Sequence, residues 1–201
     1  MDAETDEHRQ RMRALKAEQD ARRQQASDPG RGLVLVHTGN GKGKSSSAFG
    51  VIARALGWGQ RVGVVQFIKG KWVTGERRFF DRFPDEVTWH TMGEGLTWDT
   101  QDRDRDIAAA RAAFARGAEM MASGDYDLLV LDEVNIAVRY DYLDVADVIV
   151  ALGVRSQRTS VILTGRDAKP ELIAYADLVS EMGEVKHPFH AGIMAQKGID
   201  F

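Results

Sequence analysis

The segment that most constrains the fold is His37-Thr38-Gly39-Asn40-Gly41-Lys42-Gly43-Lys44-Ser45-Ser46. It follows the apolar, β-branched run Leu33-Val34-Leu35-Val36. It leads into Ala48-Phe49-Gly50-Val51-Ile52-Ala53-Arg54-Ala55-Leu56, which reads as a helix. Strand, glycine-rich turn, Gly-Lys-Ser and helix form the context that a P-loop needs. Glycines let successive backbone N–H groups turn toward one anion, and the helix N-terminus adds partial positive charge. Lys44 is positioned by spacing to reach phosphate oxygens, and the Ser45 hydroxyl to hold Mg²⁺. The reading is a nucleoside triphosphate site. The loop also departs from the common Gly-x-x-x-x-Gly-Lys-[Ser/Thr] pattern. Thr38 stands where that pattern has glycine, the first glycine is Gly39, and a second lysine, Lys42, lies inside the loop.

The rest of the chain sets limits around this motif. Its 201 residues suit one principal domain, large enough to bury roughly 70% of its unfolded surface. Net charge is −3, which argues against a dedicated nucleic-acid binder. There is no cysteine, so disulfides, thiolate metal sites and cysteine nucleophiles are excluded. No apolar run is long enough to span a bilayer, and the first residues lack the apolar core of a signal peptide. A cytoplasmic chain is expected, with no membrane partner.

Residues 1–30 stand apart. Asp6 to Gln19 is rich in helix formers, its apolar stripe is thin, and Ser27-Asp28-Pro29-Gly30 breaks it. This is either a solvated helical tail or a lid that docks over a site when ligand binds. From residue 31 the pattern is βα repetition. Continuous apolar runs occur at Leu33–Val36, Val62–Ile68, Leu128–Leu131 and Val161–Thr164, as buried parallel strands require, with weaker strands near Val87–Met92 and Asp177–Met182. Ile107, Ala110, Phe114, Ala118 and Met121 share a helical face, and Gly124 ends that helix. Ala146, Ile149, Val150 and Gly153 suggest another helix. The expected fold is α/β, a doubly wound, mostly parallel sheet of the P-loop NTPase-like (RecA-like) kind with an N-terminal helical extension. Ligands bind outside the carboxyl ends of such strands.

Four further segments lie at such ends. Leu128-Leu129-Val130-Leu131-Asp132-Glu133 is a strand ending in two acids. Asp132 suits support of Mg²⁺, and Glu133 either activates water or holds the nucleotide. Met92-Gly93-Glu94-Gly95-Leu96-Thr97-Trp98 places two large apolar groups in a glycine-freed loop. That loop either folds onto the core or walls a flat apolar ligand. Leu163-Thr164-Gly165-Arg166 offers an arginine for phosphate, ribose or a surface ion pair. His187 and His190 lie three apart with Pro188 between them, which does not suggest a metal pair, and both read as ordinary surface histidines. On these residues alone the chain is a RecA-like ATPase or nucleotide kinase, a nucleotide sensor, or another ATP-dependent enzyme.

Taken together and in order, Thr38 to Ser46, Gln66-Phe67-Ile68-Lys69-Gly70, Gly95-Leu96-Thr97-Trp98, Leu131-Asp132-Glu133, Tyr140-Asp141-Tyr142-Leu143, Leu163-Thr164-Gly165-Arg166 and Gly198-Ile199-Asp200-Phe201 are more specific. Over residues 31–201 the chain resembles the P-loop cob(I)alamin (ATP:corrinoid, or cob(I)yrinic acid a,c-diamide) adenosyltransferases. The resemblance implies attack by a corrinoid Co(I) on C5′ of ATP, with release of triphosphate. It implies ATP bound in the reverse sense along the loop, with its γ phosphate deepest. Gly39, Asn40, Gly41, Lys42, Gly43, Lys44, Ser45, Ser46, Arg54 and Glu133 would bind ATP, with Lys44 and Glu133 as the catalytic pair. Ser45 and Asp132 would serve Mg²⁺. Leu96 and Trp98 would lie under the corrinoid and exclude its lower axial ligand. Leu96 departs from the phenylalanine common there, and Ser45 and Ser46 replace commoner threonines. The resemblance also implies a homodimer and a flavodoxin-like or flavin reductase as electron donor.

Overall fold

The computed structural model describes residues 3–67, 74–92 and 102–201. The chain divides into two units, Met1–Gly30 and Arg31–Phe201. The first holds one helix, α1 (Ala3–Gln25), longer at both ends than its richest helix-forming stretch. Its surface carries ion pairs one turn apart, Lys16 with Asp20 at 3.2 Å and Arg22 with Glu18 at 2.6 Å. Such pairs support an exposed helix that buries little of itself. Beyond it the Asp28 carboxylate accepts from Gly30 N, closing the turn that Pro29-Gly30 begins.

The second unit is built on six strands: β1 (Val34–Thr38), β2 (Val62–Gln66), β3 (Val87–Thr91), β4 (Leu128–Asp132), β5 (Ser160–Thr164) and β6 (Leu178–Glu181). Their order is β3-β2-β4-β5-β1-β6, and every pair is parallel. β5 therefore separates the strand that feeds the glycine loop from the strand that ends in Asp132. Each strand matches a sequence expectation to within two residues, and both faces are covered, which is why the runs are continuous rather than alternating.

One face packs Val62, Val64, Leu128, Val130 and Ile162 against Ala48, Phe49, Ile52 and Ala55 of α2 (Lys44–Gly57), with Phe80 of α3 (Gly75–Phe80) beside them. The other packs Val34, Val36, Val65, Leu129, Leu131, Val161 and Leu163 against α4 (Arg103–Ser123), α5 (Val134–Arg139), α6 (Val145–Gly153) and α7 (Pro170–Tyr175). The buried seam of α4 is Ala110, Ala113, Gly117, Met120 and Met121. It is shifted from the expected face, leaving Phe114 and Ala118 half-buried at its edge. Small residues let the helix lie close: a Cβ on Gly117 would come within 2.9 Å of Leu131 Cδ2. The helix suggested by Ala146, Ile149, Val150 and Gly153 is α6, whose core positions are Val148 and Leu152, whereas Val150 is 64% exposed. The asymmetry of a single covering layer, not the count of apolar residues, decides which of them face inward. Gly124 ends α4 with φ 75°, as expected.

A clamp joins the entries of β1 and β6. Arg31 holds Asp177 through two hydrogen bonds of 2.8 and 2.6 Å, and Val34 N donates to the same carboxylate at 2.8 Å. The Arg31 hydrogen bond, followed by that from Val34 N, holds the Asp177 carboxyl at about 2. A carboxyl lowered on folding contributes stability above its unfolded pKa, near 4, and loses it as pH falls toward 2. Asp177→Asn is therefore expected to lower Tm by a few degrees at neutral pH. The difference from the parent should close between about pH 4 and about pH 2. A pH series of thermal melts checks this, and a difference constant with pH would remove the clamp from the account.

Candidate active site

The glycine loop leaves β1 at Thr38 and enters α2 at Lys44. Gly43 precedes the helix with φ 112°, a conformation that costs a side chain dearly. Gly39, with φ 92°, shares that constraint, and Gly39 and Gly41 both meet a second one. A Cβ on either would come within 2.5 Å of backbone oxygens of Met182 or Gly183. The loop is laced to the segment after β6 by Gly41 N, which donates to Met182 O at 2.7 Å, and by Met182 N, which donates to Thr38 O at 2.9 Å. Thr38 earns its place where the common pattern has glycine. Its hydroxyl accepts from Ala168 N at 3.0 Å and so tethers the turn after β5 that carries Arg166.

Lys44 folds back beneath the loop, and its ammonium donates to Gly41 O at 2.5 Å. It is 7% exposed. Burial lowers its pKa, and nearby Glu133 opposes that shift. A charged ammonium so placed is favoured further by any anion that enters. Behind it, His37 on β1 is buried with Nδ1 3.3 Å from Lys44 O, and burial lowers its pKa as well.

Asp132 is fully buried at the end of β4. Gln66 Nε2 donates to Oδ2 at 2.9 Å and Thr164 Oγ1 to Oδ1 at 2.8 Å. The parallel register sets Gln66 of β2 opposite Asp132, so the contact follows from strand pairing. The network runs outward. Gln66 Oε1 accepts from Trp89 Nε1 at 3.0 Å and from Thr91 Oγ1 at 3.2 Å. On the other side Glu133 N donates to Thr164 Oγ1 at 2.9 Å. Glu133 has φ 67°, unusual for a side-chain-bearing residue, and begins α5. This turn aims its carboxylate toward the loop instead of along the helix.

These pieces enclose a cavity of about 260 Å³ lined by Gly41 to Ser46, Glu76, Glu133, Ile136, Arg166, His187, Ile199 and Asp200. Lys42, Gly43, Lys44, Ser45, Ser46, Glu133 and Arg166 thus meet as the sequence suggested. Asn40 is exposed at the loop's tip. Arg54 is exposed in the last turn of α2, ten residues past Lys44. A rise of 1.5 Å per residue puts it about 15 Å away along the helix, remote from the cavity of its own chain. Leu96 and Trp98, together with Ile68, Lys69 and Gly70, lie outside the described residues. Glu76, His187 and Asp200 are cavity residues that sequence reasoning passed over. Gly198-Ile199-Asp200-Phe201 stood among the matching motifs without a role, and His187 was read as an ordinary surface residue.

The donor set bears on Mg²⁺. Among the described residues no group of three or more His, Cys, Asp or Glu could hold a metal ion. The Ser45 hydroxyl lines the cavity, whereas Asp132 does not and has both oxygens hydrogen-bonded, a sparse donor set that suits a cation arriving on a nucleotide's phosphates, since Mg²⁺ keeps few protein ligands in such sites.

A parallel sheet with a glycine loop after β1, an acid at the end of β4 and one strand between them defines a P-loop nucleotide-binding protein. Residues 30–201 match the family described as ATP:corrinoid adenosyltransferase BtuR/CobO/CobP. The chain is 56% identical over 194 residues to a corrinoid adenosyltransferase of Pseudomonas aeruginosa, covering 96% of this chain and 95% of that one. It is 47% identical over 194 residues to the corrinoid adenosyltransferase CobA of Salmonella typhimurium, covering 96% and 97%. Among solved structures, the KaiC-like protein PH0186 of Pyrococcus horikoshii has a TM-score of 0.46 at 15% identity, over 78% of this chain and 75% of that one. The chain belongs to the ATP:corrinoid adenosyltransferase family, enzymes whose general reaction is adenosyl transfer from ATP to a corrinoid. No helix among the described residues is long and apolar enough to cross a membrane.

Thr164 serves Asp132 and Glu133 with one hydroxyl. Thr164→Val should cost about 1–3 kcal/mol of stability and weaken ATP binding, because a buried network loses its bridge. Thr164→Ser keeps the hydroxyl and should restore most of both. Urea unfolding and nucleotide titration of the two variants check this, and a valine variant that matches the parent while serine falls short would mean that the bulk of the side chain matters and its hydroxyl does not.

Proposed function

We propose that this enzyme transfers the 5′-deoxyadenosyl group of ATP to the Co(I) of a corrinoid and releases inorganic triphosphate, in adenosylcobalamin biosynthesis or salvage. The Co(I) electron pair forms the Co–C5′ bond, and the C5′–O bond breaks with its electrons passing to triphosphate. The observation that carries this is the Lys44 ammonium held beneath the loop in a small cavity that Lys42, Ser45, Ser46 and Arg166 also line. At about 260 Å³ the cavity is smaller than sites that enclose a drug-sized ligand. It suits a polyphosphate, with nucleoside and corrinoid extending beyond it. ATP then lies in the reverse sense along the loop, its γ phosphate deepest and C5′ toward the opening.

Lys44 and Lys42 neutralise the charge that develops on the leaving triphosphate, and the backbone donors of the Gly39 to Gly43 loop orient it, apart from Gly41 N, which is engaged by Met182 O. Glu133 and Asn40 hold the nucleoside, Glu133 at the ribose hydroxyls. No general base is required, because the attacking cobalt carries no proton. Catalysis is orientation plus leaving-group stabilisation. Ser45, with Asp132 behind it, would hold Mg²⁺, which supplies further neutralisation of the phosphates. Leu96 and Trp98 cover the lower face of the corrinoid. A flavodoxin-like protein or flavin reductase supplies the electron. The enzyme works in the cytoplasm as a homodimer, with residues 1–30 as an N-terminal helical extension of the domain formed by residues 31–201.

The rival is ATP hydrolysis or phosphoryl transfer with Glu133 as base. Incubation with MgATP and chemically reduced Co(I) corrinoid in the dark separates the two. Triphosphate and a light-sensitive alkylcorrinoid are expected, whereas ADP and phosphate with unchanged corrinoid would refute the transfer. Lys44→Ala should lower the rate at least 10²-fold in that assay, the scale of losing a preorganised electrostatic group. Trp98→Ala should slow turnover far more when the enzyme starts from Co(II) and a reductase than when it is given Co(I). Equal losses would limit Trp98 to packing.

A further inference from the structure

Lys42 projects from the loop into the proposed triphosphate cavity, yet its ammonium already holds an anion. Lys42 Nζ lies 2.5 Å from Asp200 Oδ1. The other oxygen, Oδ2, accepts from Gln196 N at 2.8 Å, so the direction of the carboxylate is set by its own segment. That segment is closed on itself: Asp200 N donates to Gln196 O and Gly198 N to Phe201 O, both at 2.8 Å. The Asp200 side chain is 13% exposed, whereas Lys42 is 48% exposed and has room to swing. Lys42, then Gln196 N, holds the Asp200 carboxyl below its ordinary range, so it is an anion at neutral pH. Asp200 and Lys42 line the same cavity as Lys44, Ser45 and Ser46.

A fixed carboxylate in a cavity for polyphosphate opposes binding unless it has a purpose. We propose that Asp200 is a resident anion standing in for one phosphate oxygen: ATP binding moves Lys42 from Asp200 to the triphosphate, and triphosphate leaves by the reverse exchange. This rests on the reading above, in which the whole triphosphate is a product. A polyanion held by two lysines and an arginine departs slowly if each cation must be stripped bare. Asp200 offers Lys42 a second partner at the moment of departure, so one ion pair replaces another. The Gln196 N hydrogen bond keeps Asp200 in place while Lys42 is away. Asp200 is thus a positioning residue for Lys42, tuned for release more than for grip.

The test is calorimetric binding of inorganic tripolyphosphate to the full chain, parent against Asp200→Asn, with melting curves to show that both fold. The asparagine variant should bind about two- to fivefold more tightly, the range for a partly exposed ion pair. The gain should shrink as salt is raised. In a Lys42→Gln background the gain from Asp200→Asn should differ from that in the parent, what remains being direct repulsion between the Asp200 carboxylate and phosphate, and the double-mutant cycle separates the two. Triphosphate should also become the stronger product inhibitor of the variant. Unchanged or weaker binding in Asp200→Asn would overturn the exchange, weaker binding meaning that Asp200 steadies Lys42 for phosphate. The binding assay uses neither corrinoid nor turnover, so its failure leaves adenosyl transfer standing. Absence of triphosphate among the products would refute that reading and with it the release half of the exchange, whereas tighter tripolyphosphate binding by Asp200→Asn would still show that Asp200 and phosphate compete for Lys42.

Discussion

A carboxylate with no exposure at the end of a central strand must be hydrogen-bonded, and much of this site follows from how Asp132 meets that demand. Its partners come from the strands on either side, Gln66 on β2 and Thr164 on β5. Gln66 then needs partners for its own carbonyl and takes them from Trp89 and Thr91 on β3. Thr164 has a lone pair to spare and accepts Glu133 N. One buried charge thereby fixes the carboxyl ends of four adjacent strands. Breaking one member costs more than a single surface bond, because the group left behind stays in a medium of low dielectric.

The consequence reaches both substrates. Glu133 follows Asp132 directly, and its left-handed turn is held by the Thr164 hydroxyl, so the network places the carboxylate proposed to meet the ribose. At the other end Thr91 closes β3 immediately before Met92 and the segment that carries Leu96 and Trp98. Asp132 and the strand that leads to the segment proposed to meet the corrinoid belong to one hydrogen-bonded unit. Pre-organisation of two large reactants gains from such sharing, since small displacements at a reacting centre are expensive in rate.

The strands, the glycine loop and the Asp-Glu pair were legible because each is a local signal: a run, a spacing, a break. Thr38 was visible only as a departure. Its reason, the bond from Ala168 N, spans 130 positions and has no local trace. Gln66 likewise sits in a matching motif, but its role depends on a strand pairing 66 residues away. Asp200 and His187 lay in a segment without periodicity, where no rule of helix or strand predicts what they face. The seam of α4 was placed only approximately for a related reason. Periodicity gives a stripe, and the sheet beneath selects which edge of it to bury, favouring Ala110, Ala113 and Gly117 because they let the helix approach.

The charge pattern of the cavity argues against maximal affinity as its design. Lys42, Lys44 and Arg166 are interleaved with Glu76, Glu133 and Asp200. A site that holds ATP for attack at its γ phosphorus gains from keeping the polyphosphate bound through the reaction. A site that expels triphosphate gains only from interactions stronger in the transition state than in the product. Lys44, buried and held beneath the loop by Gly41 O, is placed in advance for the charge that the proposed reaction develops. Lys42, half-exposed and already paired, contributes attraction that can be returned. On the proposed reaction, two lysines two residues apart would divide the work: one fixed for stabilisation, the other exchangeable for turnover.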